Sequence, residues 1–177
     1  ITAAEAADLI RDGMTLGVSG FGAFASPDCV MEAMSRKFKE QNTPRDLTIV
    51  SGVAPGDFVE DGCGLSKIKD EGIIRTLIAS HLRMSPAIGR ACSENKIAAF
   101  SMPLGVYGQL MNAIGSKRPG IITHVGLNTY ADPRQDGCKM NALAKADGRE
   151  LVELIHVSGK DYLFYKAFHI DACILHA

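Results

Sequence analysis

Strand-like apolar runs alternate with helical stretches through the first 125 residues, and this alternation leaves few architectures open. Met14–Val18, Leu47–Val50, Ile73–Ala79 and Ile97–Ser101 read as strands, and Ile121–Val125 as a fifth. Arg75 reads as a charged interruption of the third. Between them lie stretches with helical spacing. Ser26-Pro27 reads as a helix start, Ser26 as the cap and Pro27 at the first position. That helix runs to about Glu40 and places Val30, Met31, Met34 and Phe38 on one face. Ser85-Pro86 repeats the signal, Leu65–Asp70 reads as a short helix, and Val106–Ile114 as a longer one. Thr2-Ala3-Ala4-Glu5 matches a capping box ahead of an opening helix that stops at Asp12-Gly13. Strand–helix alternation of this kind predicts an α/β fold: a doubly wound, mostly parallel open sheet.

The last third changes character. Asp132-Pro133-Arg134 through Gly137 is turn-rich. Leu151–Val157 and Tyr162–Tyr165 alternate around Ser158-Gly159-Lys160, which predicts a β-hairpin excursion. Ala172–Leu175 reads as a final strand with no helix after it. A parallel sheet is normally covered on both faces, so the pattern suggests an architecture cut short. The first residue is Ile1, not Met, which reads as a processed or trimmed segment.

In an open α/β sheet, ligands meet the loops that leave the carboxyl ends of strands. Two such loops stand out, Val18-Ser19-Gly20-Phe21-Gly22 and Met102-Pro103-Leu104-Gly105. Gly20-Phe21-Gly22-Ala23-Phe24-Ala25 fits the spacing of a dinucleotide loop. That motif should open its helix directly, yet the helix signal here waits until Ser26-Pro27. The second strand also ends in Ser51-Gly52, where an acidic residue should hold a ribose. A nicotinamide or flavin cofactor is therefore disfavoured.

Composition excludes little else. Net charge is −1, which gives no reason to expect nucleic acid or a membrane surface as partner. No apolar run approaches the roughly 20 residues needed to span a bilayer, and the opening residues read as a helix, not a signal peptide. Cys29, Cys63, Cys92, Cys138 and Cys173 are odd in number and widely spaced. They read as reduced, mostly packed thiols of a cytoplasmic protein. No two of His81, His124, His156, His169 and His176 have metal-ligand spacing, so no metal is expected. His81 and His124 fall near strand ends, where ordinary hydrogen-bonded histidines are the better reading. Asp132-Pro133-Arg134 fits either an anion site or a structural turn. Ser116-Lys117-Arg118 reads as a solvated helix end. No serine-hydrolase elbow, phosphate-binding lysine loop or zinc-protease helix occurs.

Taken in order, these segments resemble class I coenzyme A transferases, in the acyl-CoA:acetate and propionate branch. The likeness is carried by Ile10-Arg11-Asp12-Gly13, Val18-Ser19-Gly20-Phe21-Gly22, Pro27, Asn42-Thr43-Pro44-Arg45-Asp46-Leu47-Thr48 and Glu94-Asn95-Lys96-Ile97. It continues through Met102-Pro103-Leu104-Gly105-Val106, Arg118-Pro119-Gly120 and Thr123-His124-Val125-Gly126-Leu127. Asp132-Pro133-Arg134, Lys139-Met140-Asn141 and Asp161-Tyr162-Leu163-Phe164-Tyr165-Lys166 complete it.

The resemblance implies a CoA-transferase-like fold, with residues 1–177 forming the N-terminal, alpha-type domain, truncated at its C-terminal end. It implies exchange of CoA between a short-chain acyl-CoA and a carboxylate such as acetate, through a glutamyl-CoA thioester. CoA is then a substrate, and no cofactor is permanently bound. The glutamate belongs to the family's second half, so no catalytic residue is expected within this chain, and the isolated segment should be inactive. Ser19, Gly20, Phe21, Gly22, Pro103, Leu104 and Gly105 are implied as substrate-binding residues, walls of an acyl pocket whose backbone N–H groups face an oxyanion. The implied partners are the missing beta-type half and further copies in a homo-oligomer. Many relatives carry Gln where this chain has Leu104, which implies either a backbone donor or a more apolar pocket here. The family's first half also runs on past Ala177. The alternative reading is a non-catalytic CoA-transferase-like domain that binds ligands or regulates. Related sheets also serve sugar-phosphate isomerases, so the fold alone does not decide.

Overall fold

The computed structural model describes residues 1–176; Ala177, the last residue of the expected domain, lies outside them. In chain order the elements are α1 (Ala3–Asp8), β1 (Thr15–Val18), α2 (Asp28–Gln41), β2 (Leu47–Val50) and a 3-10 turn (Gly64–Ile68). Then come β3 (Ile74–Ala79), α3 (Pro86–Ser93), β4 (Ala98–Ser101), α4 (Leu104–Gly115) and β5 (Gly120–Thr123). The chain closes with α5 (Ala142–Ala146), β6 (Val152–Val157), β7 (Lys160–Lys166) and β8 (Ala172–Ile174).

Five strands make a fully parallel sheet in the order β4-β3-β2-β1-β8. Alternate side chains divide between its two faces, as the two-residue period of a strand requires. Leu16, Ile49, Leu77 and Ala99 join Met31 and Met34 of α2 and Ile88 of α3 in one core. Val50, Ile78, Ala98 and Phe100 join Val106 and Leu110 of α4 and Leu163 and Tyr165 of β7 in the other. Burying one large apolar side chain is worth about 1.5–3 kcal/mol, so these two cores dominate the stability of the sheet. Arg75 does not interrupt β3. It is the strand's one exposed residue, with four fully paired positions beyond it.

The antiparallel layer is larger than a hairpin. β5, β7 and β6 form a three-stranded sheet in that order. β5 was expected in the parallel sheet, but it pairs antiparallel with β7, from Gly120 opposite Lys166 to Thr123 opposite Leu163. The reason lies in its exposure. None of its four residues is buried, whereas a central parallel strand is covered on both faces. The β6–β7 turn is shorter than expected, because Lys160 already belongs to β7. Its two turn residues, Ser158 and Gly159, both have positive φ (50° and 77°), which matches the twist of the strands they join.

The capping expectations divide. Glu5 N–H donates to Thr2 Oγ1 (3.2 Å) and Thr2 N–H to Glu5 Oε2 (2.7 Å), so the capping box forms. Ser26 does not cap α2. The helix starts at Asp28, with Pro27 at the cap, and the Ser26 hydroxyl is buried without a partner among the described residues. Ser85 makes no cap bond either; its hydroxyl pairs with that of Ser66 at 2.9 Å. Pro86 does open α3. Helix α5 was not expected from the sequence. Five residues are too few to show a periodicity, and the helix is fixed by Asn141, whose Oδ1 accepts the Ala144 N–H at 2.9 Å.

The outer edge of β4 is closed by the segment that leads into α5. Ser101 N–H donates to Cys138 O and Met140 N–H to Ala99 O, both at 2.8 Å. The loop that reaches this edge is built around Asp132, only 1% exposed. Its carboxylate accepts the Asn128 N–H (2.8 Å), the Arg134 N–H (3.0 Å) and a two-point contact from the Arg134 guanidinium (3.0 and 2.7 Å). Arg134 also reaches Asp161 at the start of β7 (3.1 Å). Asp132-Pro133-Arg134 is thus a structural turn, its cation already spent on two carboxylates.

The Arg134 side chain, against the cost of burial and with help from the two N–H groups, holds the Asp132 carboxyl well below the usual range. A depressed carboxyl stabilises the fold above its unfolded pKa of about 3.9, and that stability fades as pH falls towards the folded value. Asp132→Asn is expected to lower unfolding free energy by about 2 kcal/mol at neutral pH, the scale of lost charge-assisted bonds. In thermal melts, the gap between the two proteins should narrow below about pH 4.

Candidate active site

The sheet order marks one position on its edge. From β1 the chain steps outward through β2, β3 and β4, then returns to lay β8 on the other side of β1. The crevice where such a sheet reverses direction, outside the carboxyl ends, is where α/β proteins bind ligands. Here that point is Ser19. Its N–H donates to Ile174 O of β8 (3.1 Å), its hydroxyl donates to Ala25 O (2.8 Å), and it accepts the His176 N–H (3.0 Å).

Beyond Ser19 the chain makes a tight reversal. Phe21 N–H donates to Phe24 O (3.0 Å) and Phe24 N–H to Phe21 O (3.1 Å), so Gly22 and Ala23 form the tip. Gly20 lies at φ +130°, and a Cβ there would stand 2.8 Å from Pro55 Cβ. Only glycine adopts this backbone so close to a neighbour. The Phe21 side chain is 59% exposed and Phe24 80%, so the loop displays aromatic surface at the edge instead of burying it. The late start of α2 confirms that these glycines do not open a helix as a dinucleotide loop would.

The second predicted loop is in fact the first turn of a helix. α4 begins at Leu104, not Val106, with Pro103 at the cap and no side-chain cap bond. The N–H groups of Leu104, Gly105 and Val106 therefore point out of the helix start. Leu104 is half exposed. Leu104 and Tyr107 both lean on Gly52, where a Cβ would lie 3.5 Å from Leu104 Cδ1 and 3.3 Å from Tyr107 Cε1. Burial against this contact pushes the Tyr107 hydroxyl up from its ordinary pKa.

The two predicted segments meet through a third. The loop after β2 packs under Leu104 at Gly52 and against Gly20 at Pro55, and Gly56 N–H donates to Gly22 O at 3.0 Å. Ala54 N–H donates to His81 O (2.7 Å), which ties the exit of β3 to the same group. Residues 52–56 were not among the predicted site residues. The signal was present, since Ser51-Gly52 leaves a strand at the same edge.

The remaining candidates divide by position. His81 stands at this edge, and its Nδ1 is buried without a partner among the described residues. His124 follows β5 in the antiparallel layer and is exposed. The thiols are free, but fewer are packed than expected: Cys92 and Cys138 are buried, Cys63 is half-buried, and Cys29 and Cys173 are exposed. Burial pushes the Cys92 and Cys138 thiols up to about 12, which leaves them unreactive. Among the described residues, no group of three His, Cys, Asp or Glu side chains is placed to hold a metal. A groove of about 580 Å³ opens elsewhere, between α3 and Met140–Ala142. The Asn141 side chain there is committed to the Cys92 and Ile97 carbonyls, both at 2.7 Å. No helix among the described residues is long and apolar enough to cross a membrane.

The sequence pattern that describes coenzyme A transferases matches residues 1–177. The chain is 42% identical to a caffeate CoA-transferase from Acetobacterium woodii, over 99% of its own length and 32% of that protein's. It is 35% identical to the acetate CoA-transferase YdiF of Escherichia coli K12, over 100% of its length and 33% of that protein's. Its fold superposes on the YdiF acyl-CoA transferase of Escherichia coli O157:H7, solved as a thioester complex with CoA, with a TM-score of 0.92 and 34% identity. That match covers 99% of this chain and 33% of the solved one. The chain therefore spans about a third of the length of these relatives.

Gly20→Ala tests the packing of this edge. The added methyl meets Pro55 on a backbone that L-residues avoid, and the expected loss is about 2 kcal/mol in denaturant unfolding. Gly105→Ala, at a position with open space around the new methyl, should leave stability unchanged or slightly raised.

Proposed function

We propose, because this chain belongs to the coenzyme A transferase family, that it is the alpha-type part of an enzyme that moves CoA between carboxylic acids. The observation that carries the reading is the match to the family along the entire chain. The donor is a short-chain acyl-CoA and the acceptor a carboxylate such as acetate. CoA enters as substrate, and the protein holds no permanent cofactor.

The chemistry is divided between this chain and a segment outside it. A glutamate carboxylate supplied from beyond residues 1–177 attacks the acyl-CoA thioester and expels CoA thiolate. The thiolate then attacks the resulting anhydride at the glutamyl carbonyl, which releases the first acid and leaves a glutamyl-CoA thioester. The second acid takes the CoA by the reverse sequence. Splitting one exchange into two easier steps in this way is the advantage of a covalent intermediate.

Residues 1–177 supply the wall that this glutamate faces. Ser19, Gly20, Phe21 and Gly22 border it on one side, and Pro103, Leu104 and Gly105 on the other. The outward N–H groups at the start of α4 stabilise the tetrahedral oxyanion, helped by the positive end of the helix. The Leu104 side chain, with no amide to offer, sets an apolar lining for the acyl chain. The enzyme is a homo-oligomer whose working unit includes the beta-type part, and it works in the cytoplasm.

Intact mass of the full-length protein after incubation with acetyl-CoA should rise by one CoA less one water, and acetate should discharge the adduct. Absence of that adduct in folded full-length protein overturns the transferase reading. Residues 1–177 alone should form none. Leu104→Gln should lower kcat/KM for butyryl-CoA relative to acetyl-CoA by about tenfold, the scale set by one or two methylenes in an apolar pocket.

A further inference from the structure

Each parallel strand that exits before α4 carries a serine at its end: Ser19 after β1, Ser51 after β2, Ser80 after β3 and Ser101 at the last position of β4. Their hydrogen bonds form one row across the whole sheet. Ser101 Oγ donates to Ser80 O (3.3 Å). Ser80 donates to Gly52 O with its hydroxyl and, at 3.1 Å, with its N–H. Ser51 Oγ donates to Val18 O (3.0 Å). Ser19 closes the row by accepting the His176 N–H beyond β8 (3.0 Å). Each strand end is thus tied to its neighbour in the order β4, β3, β2, β1, β8.

The row has an electrostatic effect at this edge. A carbonyl oxygen with a free lone pair there repels a carboxylate or an oxyanion, whereas an N–H attracts it. The hydroxyl protons of Ser51, Ser80 and Ser101 are donated along the edge into the carbonyls of Val18, Gly52 and Ser80, and that of Ser19 into Ala25 O. The N–H groups of Gly20, Gly22, Leu104 and Gly105 have no acceptor among the described residues. Ser51 is fully buried and Ser101 only 6% exposed, so these two hydroxyls act on the carbonyls and not on a ligand directly.

We infer that this serine row is a positioning device for the transferase site. It occupies the strand-end carbonyls and holds the exit loops level, so that N–H donors are what the acyl-CoA carbonyl and the incoming carboxylate meet. The inference rests on the transferase reading. It makes Ser51, Ser80 and Ser101 positioning residues, not catalytic ones.

The experiment uses the full-length protein and follows the rate at which acetyl-CoA forms the glutamyl-CoA adduct. Ser80→Ala and Ser101→Ala should each slow that rate by about tenfold with KM for acetyl-CoA unchanged, the cost of one lost hydrogen bond to a strand-end carbonyl near the reacting charge. Ser80→Thr, which keeps the hydroxyl, should restore it. The double alanine variant should lose less than the product of the single losses, because the two sit in one row. Ser35→Ala is the control: it removes a buried hydroxyl bonded to Asp70 (3.0 Å), remote from the edge. It should lower the melting temperature and leave the rate alone. Unchanged rates in folded Ser80→Ala and Ser101→Ala, or an equal loss in Ser35→Ala, overturn the inference. If the unsubstituted full-length protein forms no adduct, the transferase reading itself fails. An active unsubstituted protein with unaffected serine variants fails the row alone.

Discussion

All five strands of the main sheet run the same way, and that constraint governs the rest of the molecule. Parallel strands deliver their exits to one edge, so the loops after β1, β2 and β3, the start of α4 and the residues after β8 share a neighbourhood although they span the whole sequence. Polar backbone gathers there with it. The chain satisfies part of that backbone by hydrogen bonds between exit loops and by side-chain hydroxyls, as from Gly56 N–H to Gly22 O and from Ser51 Oγ to Val18 O. The chemistry proposed for the molecule depends on which groups remain over.

The two faces of the sheet are covered by different means. Helices α1, α2 and α3 cover one. The other is covered by α4 and by an antiparallel layer pinned through the Asp132–Arg134–Asp161 bridge. That bridge ties a loop to a strand far along the chain, and the same loop reaches round to pair with β4. A charged cluster that resembles a binding feature in sequence is here the fastening of the second layer.

Much of this was legible from residue order. The four apolar runs in the first hundred residues mark β1 to β4, and Thr2 and Glu5 announce the opening helix. The Ser158-Gly159 pair fixes the hairpin. The failures have physical causes. Ile121–Thr123 is apolar enough for a core strand, but nothing local says which sheet it joins, and its half-exposed setting placed it with β7. Ser26 and Ser85 precede proline as caps do, yet tertiary packing claimed both hydroxyl positions. At the candidate site, the predicted segments at Gly20 and Leu104 do converge on one place. The residues that join them, Gly52 and Pro55, were passed over although Ser51-Gly52 leaves a strand at the same edge, because their contacts with Leu104, Tyr107 and Gly20 are set by tertiary packing.

The closed flank of β4 gives the sheet a direction of growth. Lys139 bridges antiparallel to Phe100 there, so that side is finished by the chain's own backbone. β8 forms the opposite border and pairs only with β1 among the described residues. Any strand recruited to this sheet, from the same polypeptide or another, has one berth, and it lies beside the strand next to Ser19. An extension of the fold would therefore be added within reach of the proposed chemistry, while the opposite margin stays inert to strand exchange.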